Sequence, residues 1–121
     1  MGRNLIYSRL RDLEFKPKVC IDVGACQGEW SSEIRQIFPE TYIMGVDAND
    51  WNGNGKFPNT NVGEVEVLSN KEGEEVTFYK KNGGYCTGDS LFRENTYHYS
   101  DEFLIKEKRI TTTLKSLCKK H

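Results

Sequence analysis

The 121-residue sequence is short of the residues and patterns that mark several specialised classes of protein. Its four cysteines, Cys20, Cys26, Cys86 and Cys118, form no CxxC pair, and only two histidines, His98 and His121, accompany them, so no ligand set stands at zinc spacing. That pattern predicts a reduced chain with no structural metal. Neither sign of charge is in excess: 17 Lys and Arg stand against 18 Asp and Glu, a net charge of -1. Such a balance provides no overall field for nucleic acid or an anionic membrane, and the KK pairs at 80 and 119 are too short and separated to track a phosphate backbone. No nucleic-acid partner is expected. No apolar run approaches the roughly 20 residues of a membrane-spanning helix. The opening MGRNLIYSRLRDLEF lacks the sections of a secretory signal, so the expected location is cytoplasmic. With 36% hydrophobic residues and three prolines, the chain can build one core of ordinary small-domain size.

Periodicity organises what is present. Ile6, Leu10 and Leu13 fall at i, i+4 and i+7 and predict an amphipathic helix over residues 1–14, ended by Phe15 and Pro17. KVCIDVG reads as a buried strand. In GEWSSEIRQIFPE, Trp30, Ile34, Ile37 and Phe38 keep helical spacing until Pro39, which lacks the amide hydrogen a further turn needs. TYIMGVDAN is a second buried strand, so residues 18–47 make one βαβ unit with parallel strands. The Asn, Gly and Pro of NDWNGNGKFPNTN predict a loop or a turn of helix where a doubly wound fold has its second crossover helix. Further strands are expected in VEVLSN and EVTFYKK, separated by a turn at KEG, and a late strand in IKEKRITT. A long ordered loop is expected in KNGGYCTGDSLFRENTYHYSDE, and a short terminal helix begins near Thr112 or Thr113.

The residues with chemical meaning cluster at the first strand-to-helix turn. DVGACQG places Asp22, Gly24, Ala25 and Gly28 where glycines let a ligand approach the backbone and where helix amides face a negative group. Asp47 ends the second strand 19 positions after Gly28, the spacing at which a carboxylate accepts hydrogen bonds from ribose hydroxyls. The dinucleotide fingerprint GxGxxG would require glycines at 22, 24 and 27, where this chain has Asp22, Gly24 and Gln27. A carboxylate at 22 repels a pyrophosphate, yet it suits the ammonium and sulfonium of S-adenosylmethionine, whose own carboxylate fits the helix amides. A plainer reading stays open. Asp22 can cap the helix, the glycines can serve tight packing alone, and Asp47 can be a solvated strand end.

KVCIDVGACQGEW, TYIMGVDAN, EVEVLSNKEGEEVTFYKK, CTGDSLFRENTYHYSDE and RITTTLKSL, taken together, resemble the amino-terminal half of FkbM-type methyltransferases from about residue 15 to the end. The resemblance implies a partial methyltransferase domain over 15–121, an α/β, Rossmann-like fold, with S-adenosyl-L-methionine as cofactor and methyl transfer to oxygen on a sugar, lipid or other small molecule. It implies that Asp22, Gly24, Ala25 and Gly28 line the methionine end of the cofactor, that Asp47 binds the ribose beside Ala48 and Asn49, and that Leu68 and Ser69 pass near the adenine. The family continues beyond RITTTLKSL into a strand with acidic residues, where this chain has Lys119, Lys120 and His121. The expectation is therefore a partial sheet completed by a second copy or a partner chain, or a fragment. The alternative is an inactive cofactor-binding or subunit-interaction module that pairs through its sheet edge.

No general base is assigned. His98, between Tyr97 and Tyr99, is a candidate that equally reads as a hydrogen-bonded loop residue. Thr87, Asp89, Ser90 and Glu94 could shape the acceptor pocket or could be turn chemistry.

Overall fold

The computed structural model describes residues 2–81, 91, 102 and 104–121, and of residues 2 and 3 the backbone alone. Thr87, Asp89, Ser90, Glu94 and His98, in the segment expected from the sequence to be a long ordered loop, lie outside the described residues. The chain divides into two compact units, Met1–Glu66 and Val67–His121.

The first unit contains helix α1 (Gly2–Asp12), strand β1 (Val19–Val23), helix α2 (Glu29–Ile37) and strands β2 (Tyr42–Asp47) and β3 (Val62–Val65). The strands form a parallel sheet in the order β1-β2-β3. It is a mixed α/β unit, and the strand, helix and parallel strand expected over residues 18–47 are its centre. β2 lies between two strands and is buried from Ile43 to Val46, which is why it reads as an unbroken apolar run rather than as an alternation. Ile34, Ile37 and Phe38 pack on Ile43, with Tyr7, Cys20 and Trp30 against them.

Residues 48–61 contain turns and bends and no regular element. What this loop does in place of a crossover helix is set by two glycines. Gly45 and Gly63 are partners in adjacent strands. A Cβ at either would lie 3.2 or 3.1 Å from Cδ2 of Phe57, so the bare backbone gives the Phe57 ring its seat, only 3% exposed. Arg35 of α2 anchors the same loop. Its guanidinium donates to the carbonyls of Pro39, Thr41 and Asn59 and to Oδ1 of Asn61, which also accepts from the amide of Ile43.

Helix α1 forms where its period predicts, but its apolar stripe does not face a core. Ile6 is 60% and Leu13 75% exposed. The contact with α2 is made instead by Tyr7, whose ring meets Trp30 edge to face at 6.2 Å and whose hydroxyl accepts the Trp30 Nε1–H at 3.1 Å. An aromatic pair with a hydrogen bond outweighs the aliphatic stripe in turning the helix.

The second unit contains β4 (Val67–Leu68), β5 (Glu75–Lys81), β6 (Leu104–Thr112) and α3 (Leu114–Lys120). β6 is the middle strand, parallel to β4 and antiparallel to β5. The single strand expected in VEVLSN is thus two: Val65 ends β3 and Val67 begins β4, in different sheets. β5 buries Phe78 with the Arg109 guanidinium 5.9 Å above its ring. The junction from β6 to α3 is closed by Glu72. Its carboxylate accepts from the hydroxyls of Thr112, Thr113 and Ser116 and from the Thr113 amide, while Thr113 caps α3 through the Ser116 amide. Among the described residues no helix is long and apolar enough to cross a membrane.

Candidate functional site

The turn from β1 to α2 is folded over the tip of β2. The amides of Gly24 and Ala25 both donate to the Val46 carbonyl, at 2.7 and 3.1 Å, and the Gly28 amide donates to the Ala25 carbonyl. Gly24, Cys26 and Gly28 all take positive φ, 79°, 52° and 77°. Cysteine adopts this region at a cost of about 1–2 kcal/mol. The Cys26 amide offsets that cost by donating to Oδ2 of Asp47 at 2.9 Å.

The two glycines of the turn have different reasons to be glycine. A Cβ on Gly28 would lie 2.1 Å from the Pro58 carbonyl oxygen, so the 48–61 loop forbids a side chain there. A Cβ on Gly24 meets no described atom within 4 Å, and the space beside it is open. Gly28 is the N-cap of α2 and makes no side-chain cap bond, which leaves the first-turn amides to other acceptors.

Asp22 is buried, 6% exposed, and its Oδ2 accepts the Ser31 hydroxyl at 2.6 Å. It caps no helix backbone; it ties β1 to the first turn of α2 through Ser31, itself fully buried. Ala25 is 2% exposed and faces inward, close to where a Gly45 side chain would stand. Asp47 is not a solvated strand end. Oδ2 accepts the Cys26 amide and the Trp51 indole Nε1–H at 3.2 Å, and Oδ1 accepts the Asn49 amide at 2.9 Å. Ala48 is half-buried and Asn49 is buried. An open recess of about 460 Å³ is lined by Ile21, Asp22, Val23, Gly24 and Trp30. A second recess of the same volume, walled by Arg11, Phe15 and Phe38 among others, includes no residue of the turn.

The structure therefore brings Asp22, Gly24, Ala25, Gly28, Asp47, Ala48 and Asn49 into one unit, around the carboxyl ends of two parallel strands. Ser69 belongs to the other unit, where its amide donates to the Thr112 carbonyl and its hydroxyl accepts the Lys71 amide. Leu68 pairs with Thr112 there. Ser31 and Trp51 are the participants that sequence reasoning passed over. Ser31 was legible as a polar residue one turn before Ile34 on the apolar side of α2, and Trp51 as one of two aromatics, with Phe57, in a loop rich in Asn and Gly. Among the described residues no three His, Cys, Asp or Glu side chains gather as a metal site, and Cys20, Cys26 and Cys118 are free thiols. No family model, curated protein or solved structure matches the chain.

Proposed function

We propose that this chain is the cofactor-binding part of a Rossmann-like, S-adenosylmethionine-dependent methyltransferase that acts in the cytoplasm on an oxygen of a small sugar-like or lipid-like acceptor. The reading is supported above all by the bond from the Cys26 amide to Asp47, which ties the glycine turn to the acid at the carboxyl ends of neighbouring parallel strands. Ligands of open α/β sheets bind at such ends. The donor set fits the cofactor. Asp22 presents a carboxylate beside the recess for an ammonium, the uncapped first turn of α2 suits a carboxylate, and Asp47 is an acceptor for ribose hydroxyls. The open space at Gly24 admits ligand atoms against the backbone. When bound, the cofactor's sulfonium supplies the methyl group; the chain's own residues hold and orient it.

Isothermal titration with S-adenosylmethionine and S-adenosylhomocysteine tests this reading. Heat of binding that is lost in Gly24→Val is the expected result, because a branched side chain fills the open space. Absence of heat with both ligands would overturn it.

A second reading has its own observation. β1 pairs only with β2 among the described strands, and Val19 and Val23 are 58% and 60% exposed. An unpaired edge with exposed valines invites another strand. On this reading the chain is an interaction module whose sheet is continued by a second copy or a partner. Light scattering after size exclusion should then show an assembly that Val23→Lys disperses, and a monomer at all concentrations would refute self-pairing.

A further inference from the structure

A carboxylate has about four acceptor positions. Among the described residues three of them are taken on Asp47, two on Oδ2 by Cys26 and Trp51 and one on Oδ1 by Asn49. A vicinal diol is best met by one hydroxyl on each carboxylate oxygen. Oδ1 has a position for one; Oδ2 has none until a donor leaves.

The three donors differ in what their release undoes. The Cys26 amide belongs to the turn whose preceding amides hold the Val46 carbonyl, so freeing it leaves a strained positive φ uncompensated. The Asn49 amide closes the Asx-type turn that starts at Asp47 itself. Trp51 is bound through a side chain, on a half-buried residue in a segment of turns and bends, so its indole can rotate away while the backbone stays in place.

We infer that the Trp51 indole holds the place of one ribose hydroxyl on Asp47 Oδ2, and that a nucleoside cofactor binds by exchanging its hydroxyl for the indole N–H. Trp51 then acts through Asp47: it occupies Oδ2 when no ligand is present and so sets how tightly a diol is held, while the Cys26 and Asn49 amides keep the carboxylate in place. The inference rests on the cofactor reading above, and it adds the residue that competes for the same atom. Removal of the indole donor leaves Oδ2 open, so ligand affinity should rise by roughly three- to tenfold, the worth of one partly exposed hydrogen bond to a charged acceptor.

The chain has two tryptophans, so a ¹⁵N-labelled sample gives two indole cross-peaks, assigned with Trp51→Phe. In the ligand-free protein Asp47→Asn should move the Trp51 peak; an unmoved peak would show that the contact does not exist and overturn the inference. S-adenosylhomocysteine should move the Trp51 peak and bind Trp51→Phe three- to tenfold more tightly by calorimetry. Binding that leaves the Trp51 peak and the Trp51→Phe affinity unchanged would overturn the exchange and leave the cofactor reading standing. No heat with either the parent or Trp51→Phe would overturn both, while heat with Trp51→Phe alone would support the exchange.

Discussion

The backbone amide of Cys26 donates to Oδ2 of Asp47 at 2.9 Å, across 21 residues of sequence. The bond explains why the turn needs an acid on the next strand even before a ligand is considered. Asp47 holds a left-handed cysteine, the start of the 48–61 loop through Asn49 and the indole of Trp51, so it is a folding residue as well as a candidate ligand-binding one.

Asp47→Ala should therefore reduce both stability and ligand binding. Loss of a charged acceptor with three donors should lower the unfolding free energy by about 1–3 kcal/mol. Urea denaturation followed by titration of the folded fraction separates the two effects. An unchanged denaturation midpoint would show that the three bonds contribute nothing net.

Gly28→Ala and Gly24→Ala should differ sharply, although both residues have positive φ. At Gly24 a Cβ meets no described atom within 4 Å, so the cost is that of the backbone conformation, about 1 kcal/mol. At Gly28 a methyl would collide with the Pro58 carbonyl, so the loop must shift, and a loss of more than about 3 kcal/mol is expected. Thermal melts of the two variants check the ordering, and equal melting temperatures would refute the close approach of Pro58.

Phe57→Ala should destabilise the first unit by about 3–5 kcal/mol, the usual cost of removing a buried phenylalanine ring. The site cannot collapse to compensate, because its floor is the backbone of Gly45 and Gly63. Filling the floor instead, with Gly63→Ala, should also destabilise, since its Cβ would stand 2.4 Å from the Gly55 carbonyl oxygen. Chemical denaturation of both variants is the measurement.

The Glu72 carboxyl is held below its ordinary value of 4.5, chiefly by the hydroxyls of Ser116 and Thr112. A depressed folded-state value means that the ionised form stabilises the fold. That contribution is complete above the ordinary carboxyl range and is lost as the pH falls through the lowered value. The parent protein should lose stability on acidification below about pH 4.5, and Glu72→Gln should lose less over the same interval. Denaturation midpoints between neutral pH and pH 3 give the comparison; parallel curves would show that Glu72 does not contribute.

Local signals in the sequence were sufficient for elements that local physics controls. The run VCIDV, the helical spacing from Trp30 to Phe38 and the block at Pro39 specify strand, helix and stop, because each depends on residues within a few positions of one another. The glycine turn after β1 and the acid closing β2 were legible for the same reason, whereas the positive φ of Gly24 was a finding of the structure. The amphipathic stripe of α1 was also legible as a helix, but not its direction, since that depended on where Trp30 would stand.

What only the tertiary structure decided are the relations between distant residues. VEVLSN divides between two sheets because Val65 meets β2 while Val67 meets β6, and no alternation within six residues encodes two partners. Gly45 and Gly63 look like interruptions in strands until Phe57 is laid across them. Gly28, read as a ligand glycine, is required by Pro58 thirty positions later. Asp47 and Trp51 are four residues apart, yet only the folded loop aims the indole at the carboxylate. Sequence determined the βαβ unit and the chemical character of its turn, through short-range sterics and periodicity. Long-range packing determined which atoms of that turn are already taken.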